Sequence, residues 1–140
     1  MNKTFAALLI WVMSFAASSG LLTGQGKAND DVKSVISSQI DAFLQDDFVT
    51  AFDFASPFIR NFFRTPENFG QMVRNGYPMV WRPSDVEFLS TDQRDGALIQ
   101  NVMIRDANGA LFLLEYEMIE TESGWLINGV RVQEAGDGMA

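Results

Sequence analysis

From Val32 to Leu44 apolar residues recur at gaps of three and four. Val32, Val35, Ile36, Ile40, Phe43 and Leu44 draw one stripe of a helix, with Ser37, Ser38 and Asp41 off it. Asn29 or Asp30 is placed to cap its start, and Asp30 and Asp31 suit the positive end of its dipole. Asp46 and Asp47 interrupt the run and open a shorter helix carrying Phe48, Ala51, Phe52 and Ala55, with Phe54 on an adjoining face. Ser56-Pro57 ends or restarts that helix, because proline cannot donate the helical hydrogen bond yet suits a first helical position. An aromatic segment follows, with Phe58, Ile59, Phe62 and Phe63. Thr65 then caps a third helix with Pro66 as its first residue and Phe69, Met72 and Val73 as its apolar stripe. Gly76 is expected to end it in a left-handed conformation, ahead of Tyr77-Pro78.

After Pro83 the period changes to two. Val86–Leu89 predicts a first strand and Leu98–Arg105 a second, with Leu98, Val102 and Ile104 on one face and Ile99 and Met103 on the other. Asp106-Ala107-Asn108-Gly109 predicts the turn into a third strand, Leu111–Glu120. Its residues Phe112, Leu114, Tyr116 and Met118 form an unbroken apolar face, while the other face turns polar at Glu115 and Glu117. Glu122-Ser123-Gly124 turns the chain into a fourth strand, Trp125–Val132. There alternation fails: Trp125 and Ile127 share a face that Val130 and Val132 would leave. A bulge at or near Gly129 restores all four to one side.

These elements predict an α+β fold, three N-terminal helices packed on a curved, mainly antiparallel four-stranded meander. Over 140 residues they leave room for a single domain, residues 29–133, with residues 134–140 as a flexible tail.

The first 28 residues have a different character. Lys3 precedes an apolar run from Phe5 to about Ala17, and the small residues Ala16-Ala17-Ser18-Ser19-Gly20 follow, the pattern of a cleaved export signal. Cleavage is expected near Ser18 or Ser19, or after Ala28, with Leu21–Asn29 a disordered lead-in. A periplasmic or secreted location follows. The alternative is a retained anchor, since Phe5 to Leu22 is 18 residues, just enough for a thin bilayer; only then is membrane contact expected.

Charge and composition narrow the chemistry. The net charge is −8, and losing residues 1–28, with Lys3 and Lys27, takes it to −10. A nucleic-acid partner is not expected of so acidic a domain. Cysteine and histidine are absent, which removes disulfides, thiolate nucleophiles, imidazole bases and the usual zinc ligands; no metal or other cofactor is expected.

Candidate ligand-binding residues are Tyr77, Trp81 and Arg82 in the connection between the third helix and the sheet. They supply either an aromatic mouth with one cation or a plug for that end of the domain, with Arg82 paired to a carboxylate. Arg60 and Arg64, flanking Phe62 and Phe63, are either an anion clamp or a solvated helix edge. Asp53 and Tyr77 are the weak catalytic candidates, as a carboxylate base beside a phenol; helix capping explains Asp47 and solvent exposure Asp53 without chemistry. Glu115 and Glu117 share a strand face, which ordinary exposed alternation explains. Asn128 has the position to satisfy the hydrogen bonds that the bulge breaks.

From Val35 to about Val132 the chain resembles a bacterial exported family known only as a domain of unknown function (number 4864). The residues that carry the likeness include Ala42-Phe43, Ala55-Ser56-Pro57, Gly76-Tyr77, Arg82-Pro83, Gly124-Trp125 and Ile127-Asn128-Gly129. The order of elements is similar to the cone of nuclear transport factor 2 and ketosteroid isomerase, a cystatin-like arrangement. The resemblance implies that fold and an exported address, and no activity. The leading expectation is a non-catalytic domain that binds a small apolar or amphipathic ligand or an envelope protein. One alternative is a small isomerase, lyase or hydrolase using the Asp53/Tyr77 pair. Another is a homodimer joined through the sheet face, with Leu98, Leu111 and Leu113 in the contact.

Overall fold

A computed structural model describes the backbone of residues 16–133 and side chains from Gly24 onward. The apolar run expected as a signal, as far as Phe15, and the expected tail 134–140 lie outside the described residues. The chain divides into two units, Met1–Asp31 and Val32–Ala140. Among the described residues five helices precede four strands: α1 (Ala16–Leu44), α2 (Phe48–Asp53), α3 (Pro57–Phe63), α4 (Pro66–Gly76), α5 (Pro78–Trp81), β1 (Asp85–Arg94), β2 (Ala97–Arg105), β3 (Leu111–Thr121) and β4 (Gly124–Gln133). Among the described residues no helix is long and apolar enough to cross a membrane.

α1 begins earlier than its sequence pattern suggests. It runs through Asn29 and Asp30, so neither caps it, and Leu21–Asn29 is helical rather than a lead-in. Lys27 and Asp31 pair across one turn at 3.2 Å, and no proline intervenes to stop the helix. In the second unit Val32, Ile36, Ile40 and Phe43 are buried as the stripe requires, whereas Leu44 is exposed. Asp47 caps α2, its Oδ1 accepting from Thr50 N at 3.2 Å and its Oδ2 from the Thr50 hydroxyl at 2.7 Å; these bonds lower its pKa. Ser56 and Thr65 cap α3 and α4 in the same way, each with proline as the next residue. The aromatic segment after Pro57 is therefore a helix of its own.

Gly76 departs from expectation. It is the last residue of α4 and does not adopt positive φ; a side chain there would meet open space. Pro78 accounts for the stop, since the residue before a proline is pushed out of the helical region, and Tyr77 sits at φ −134°. Gly76→Ala is accordingly expected to stabilise the domain by about 0.5–1 kcal/mol through lower helix-forming cost, read as a higher urea midpoint.

The strands form one antiparallel sheet in the order β1-β2-β3-β4. β1 is longer than its apolar pattern, because a bulge at Leu89-Ser90 shifts the register and lets the polar residues 91–94 go on pairing. That bulge is held from both faces: Gln100 Nε2 donates to Leu89 O at 3.0 Å and Asn101 Nδ2 to Ser90 O at 3.1 Å. Asp95 and Gly96, both at positive φ, make the two-residue turn into β2.

In β4 the expected bulge is present. Glu117 faces Gly129 and Met118 faces Ile127, so Asn128 is the extra residue, and Trp125, Ile127, Val130 and Val132 share one face. That face, with Leu114, Tyr116 and Met118 fully buried, packs against the helices. Burial pushes the Tyr116 phenol above its usual pKa. Phe52 is buried and Phe112 is half-buried against the same core. Four phenylalanines tie the helices together: the Phe69 ring lies 5.9 Å from Phe43, 5.3 Å from Phe52 and 5.8 Å from Phe63.

Candidate functional site: an apolar cavity between the helices and the bulged strand

The β4 bulge is clamped to the start of α3. Ser56 N donates to Ile127 O at 2.8 Å, and Ile127 N donates to Phe54 O at 2.9 Å. The Ser56 hydroxyl donates to Asn128 Oδ1 at 2.7 Å, and Asn128 Nδ2 donates to Glu117 Oε2 at 2.6 Å. Asn128 thus has a structural role, but its side chain bonds those of Ser56 and Glu117 and not, as the sequence suggested, the backbone groups that the bulge frees. Asn128→Ala leaves the buried Ser56 hydroxyl without its acceptor, and chemical denaturation is expected to show a loss of about 1–2 kcal/mol.

Held apart in this way, α3, α4 and β4 enclose a cavity of about 460 Å³. Phe58, Ile59, Phe62 and Phe63 line it from α3; Phe69, Met72 and Val73 from α4; Ile127 to Val130 from β4. Gln39 and Phe43 of α1, Ala55, Tyr77 and Val80 complete the wall. Among the described residues no charged side chain lines it. Phe58 and Phe62 are 69% and 70% exposed, an unusual position for two phenylalanines, and stand at its rim.

Its polar groups are few and mostly engaged. The Tyr77 hydroxyl donates to Val130 O at 3.1 Å, and Gln39 Nε2 donates to Ala51 O at 3.1 Å. The volume is within the range of small-molecule sites, about 300–1,000 Å³.

Of the candidate ligand-binding and catalytic residues Asp53, Arg60, Arg64, Tyr77, Trp81 and Arg82, only Tyr77 lines this cavity. Trp81 and Arg82 form a separate cluster at the end of α1. Trp81 Nε1 and Arg82 Nη2 each donate to Asp46 Oδ1 at 2.9 Å, Arg82 Nη1 donates to Phe43 O at 2.6 Å, and the guanidinium lies 4.1 Å over the indole. The Trp81 bond first and the Arg82 bond second hold the Asp46 carboxyl below the usual aspartate range. This arrangement satisfies a carbonyl at the end of α1 with a cation, which also complements the helix dipole.

Arg60 is half-buried and Arg64 exposed. Arg64 ends α3 at φ 75°, its N–H returning to Arg60 O at 2.8 Å, and neither side chain lines the cavity. Asp53 is exposed on α2 and does not reach the cavity that Tyr77 lines, so the structure does not bring the two together there. Leu98 is buried on the helix-packed face, paired across from Met118, and so is unavailable to a contact through the open face; Leu111 is exposed at its edge.

The profile of the family described as Domain of unknown function (DUF4864) matches residues 25–140. The chain belongs to this DUF4864 family. No curated protein and no solved structure matches it. In this DUF4864 domain the matched stretch includes every residue of the cavity wall.

The open face of the DUF4864 sheet carries a second recess, polar and of about 470 Å³. Glu115, with its side chain 11% exposed, is the paired acid of this recess: it accepts from Arg94 through both oxygens at 3.2 Å and from Gln133 Nε2 at 2.7 Å, and lies 3.8 Å from Arg131. The Arg94 bond chiefly, and then Gln133, hold its carboxyl below the usual glutamate pKa against the opposing effect of burial. A carboxyl with a depressed folded pKa stabilises the fold above the pKa of the unfolded chain. That stabilisation disappears as pH falls through the folded value. Glu115→Gln is therefore expected to lower the urea midpoint at neutral pH, with the parent and variant curves converging in acid. Among the described residues no group of acidic side chains gathers to hold a metal ion.

Proposed function

We propose that this domain is an exported binding module that takes up a small apolar or amphipathic molecule between its helices and its bulged strand. The observation that carries the reading is a cavity of about 460 Å³ with no charged lining among the described residues and two exposed phenylalanines at its rim. Burying that surface against a ligand is favourable at about 25 cal/mol per Å². Leaving it in water has no packing rationale, because the core beside it is already closed by Phe43, Phe69 and Val73.

Two further supports come from elsewhere in the chain. Helices followed by a meander resemble the nuclear transport factor 2 cone, whose open end suits a pocket of this kind. The apolar run after Lys3 supports export.

Titration with a neutral environment-sensitive fluorophore tests the reading. A saturable, one-to-one rise in emission is expected, with the protein monomeric by sedimentation. Emission that rises without saturation contradicts it. So does a dimer whose formation excludes the dye, since a second copy would then be the natural cover of the cavity.

A further inference from the structure

Resting on that reading of the cavity, we infer that its natural ligand is uncharged, with an apolar body and a hydrogen-bond donor such as a hydroxyl, and that the site discriminates against carboxylates. The hydrogen bonds already made by the polar wall dictate this. Gln39 is buried, and its amide is oriented by donation from Nε2 to Ala51 O. No donor meets its Oε1 among the described residues. Tyr77 gives its proton to Val130 O, so its oxygen has lone pairs to offer. Asn128 has its Oδ1 committed to Ser56 and one N–H of its Nδ2 to Glu117. The wall therefore presents free acceptors at Gln39 Oε1 and the Tyr77 oxygen, beside the second N–H of each amide, and all of these groups are neutral.

Among the described residues an anionic head would meet no cation on this wall. The two arginines of α3 and its C-terminal cap, Arg60 and Arg64, do not line it, and Arg82 is held by Asp46 and Phe43 O. An unpaired carboxylate in such a place is costly. The net charge of −8 adds a repulsive field at longer range. A hydroxyl supplies a proton to the free acceptors of the wall, accepts from its remaining amide N–H groups, and brings no charge.

Three ligands of equal chain length separate the possibilities: decanol, its methyl ether and decanoate, titrated at pH 8 into the full chain by displacement of the neutral fluorophore. Decanol is expected to bind tightest, the ether several-fold more weakly for want of a donor, and decanoate more weakly than decanol by about tenfold or more. Decanoate equal to decanol, or tighter, overturns the inference while leaving the cavity an apolar site. An ether equal to the alcohol overturns the donor requirement. Failure of all three, with no dye to displace, overturns the binding reading itself, and the inference falls with it.

Discussion

Phe69→Ala is expected to lower the unfolding free energy by about 3–5 kcal/mol, the largest loss from any single truncation considered. Phe69 is buried on α4 and its ring meets those of Phe43, Phe52 and Phe63, so one side chain joins α1, α2, α3 and α4. Removing it forfeits its transfer energy and leaves a void that cannot collapse easily. Gly70 beside it already has the Phe48 ring against its backbone, where an added Cβ would stand 2.7 Å from that ring. Urea denaturation with the slope unchanged measures the loss. A cost below about 1 kcal/mol would show that the helices do not depend on this aromatic cluster.

Met72→Trp is expected to weaken binding of a neutral apolar ligand by about a hundredfold, the equivalent of nearly 3 kcal/mol. Met72 is half-buried on α4 with one side on the cavity, so the larger indole has space to enter without displacing core atoms. The thermal midpoint is expected to stay within about 4–8 °C of the parent, the shift that accompanies about 1 kcal/mol in a domain of this size. Unchanged affinity would place the ligand elsewhere on the protein.

Period and punctuation in the chain carried most of the architecture. The β4 bulge was readable because Trp125 and Ile127 fall out of phase with Val130 and Val132, and a buried face tolerates no such slip. The cap at Thr65 and the break at Ser56-Pro57 were readable because each is marked by a proline, whereas the capping role of Ser56 emerged only from the structure. Gly76 misled, because its neighbour Pro78 does the stopping and the glycine needs no special φ. The β1 bulge left no apolar trace, since its extra residues hold their place through Gln100 and Asn101 on another strand.

The cavity was harder to foresee. Tyr77, Trp81 and Arg82 are adjacent in sequence, yet one faces the cavity and two fold back on Asp46, a partner 35 residues or more away. Phe58 and Phe62 carry a local signal, two aromatics one turn apart. Nothing local reveals that such a pair stands exposed at a rim rather than buried under a neighbour.

Methyl-resolved NMR during titration with decanol tests the central claim most directly. Saturable shifts are predicted at Ile59, Met72, Val73, Val80 and Val130 around the cavity, with Met103, Leu111 and Leu113 of the sheet's open face unmoved. Shifts confined to the open face, or none at any attainable concentration, would contradict it.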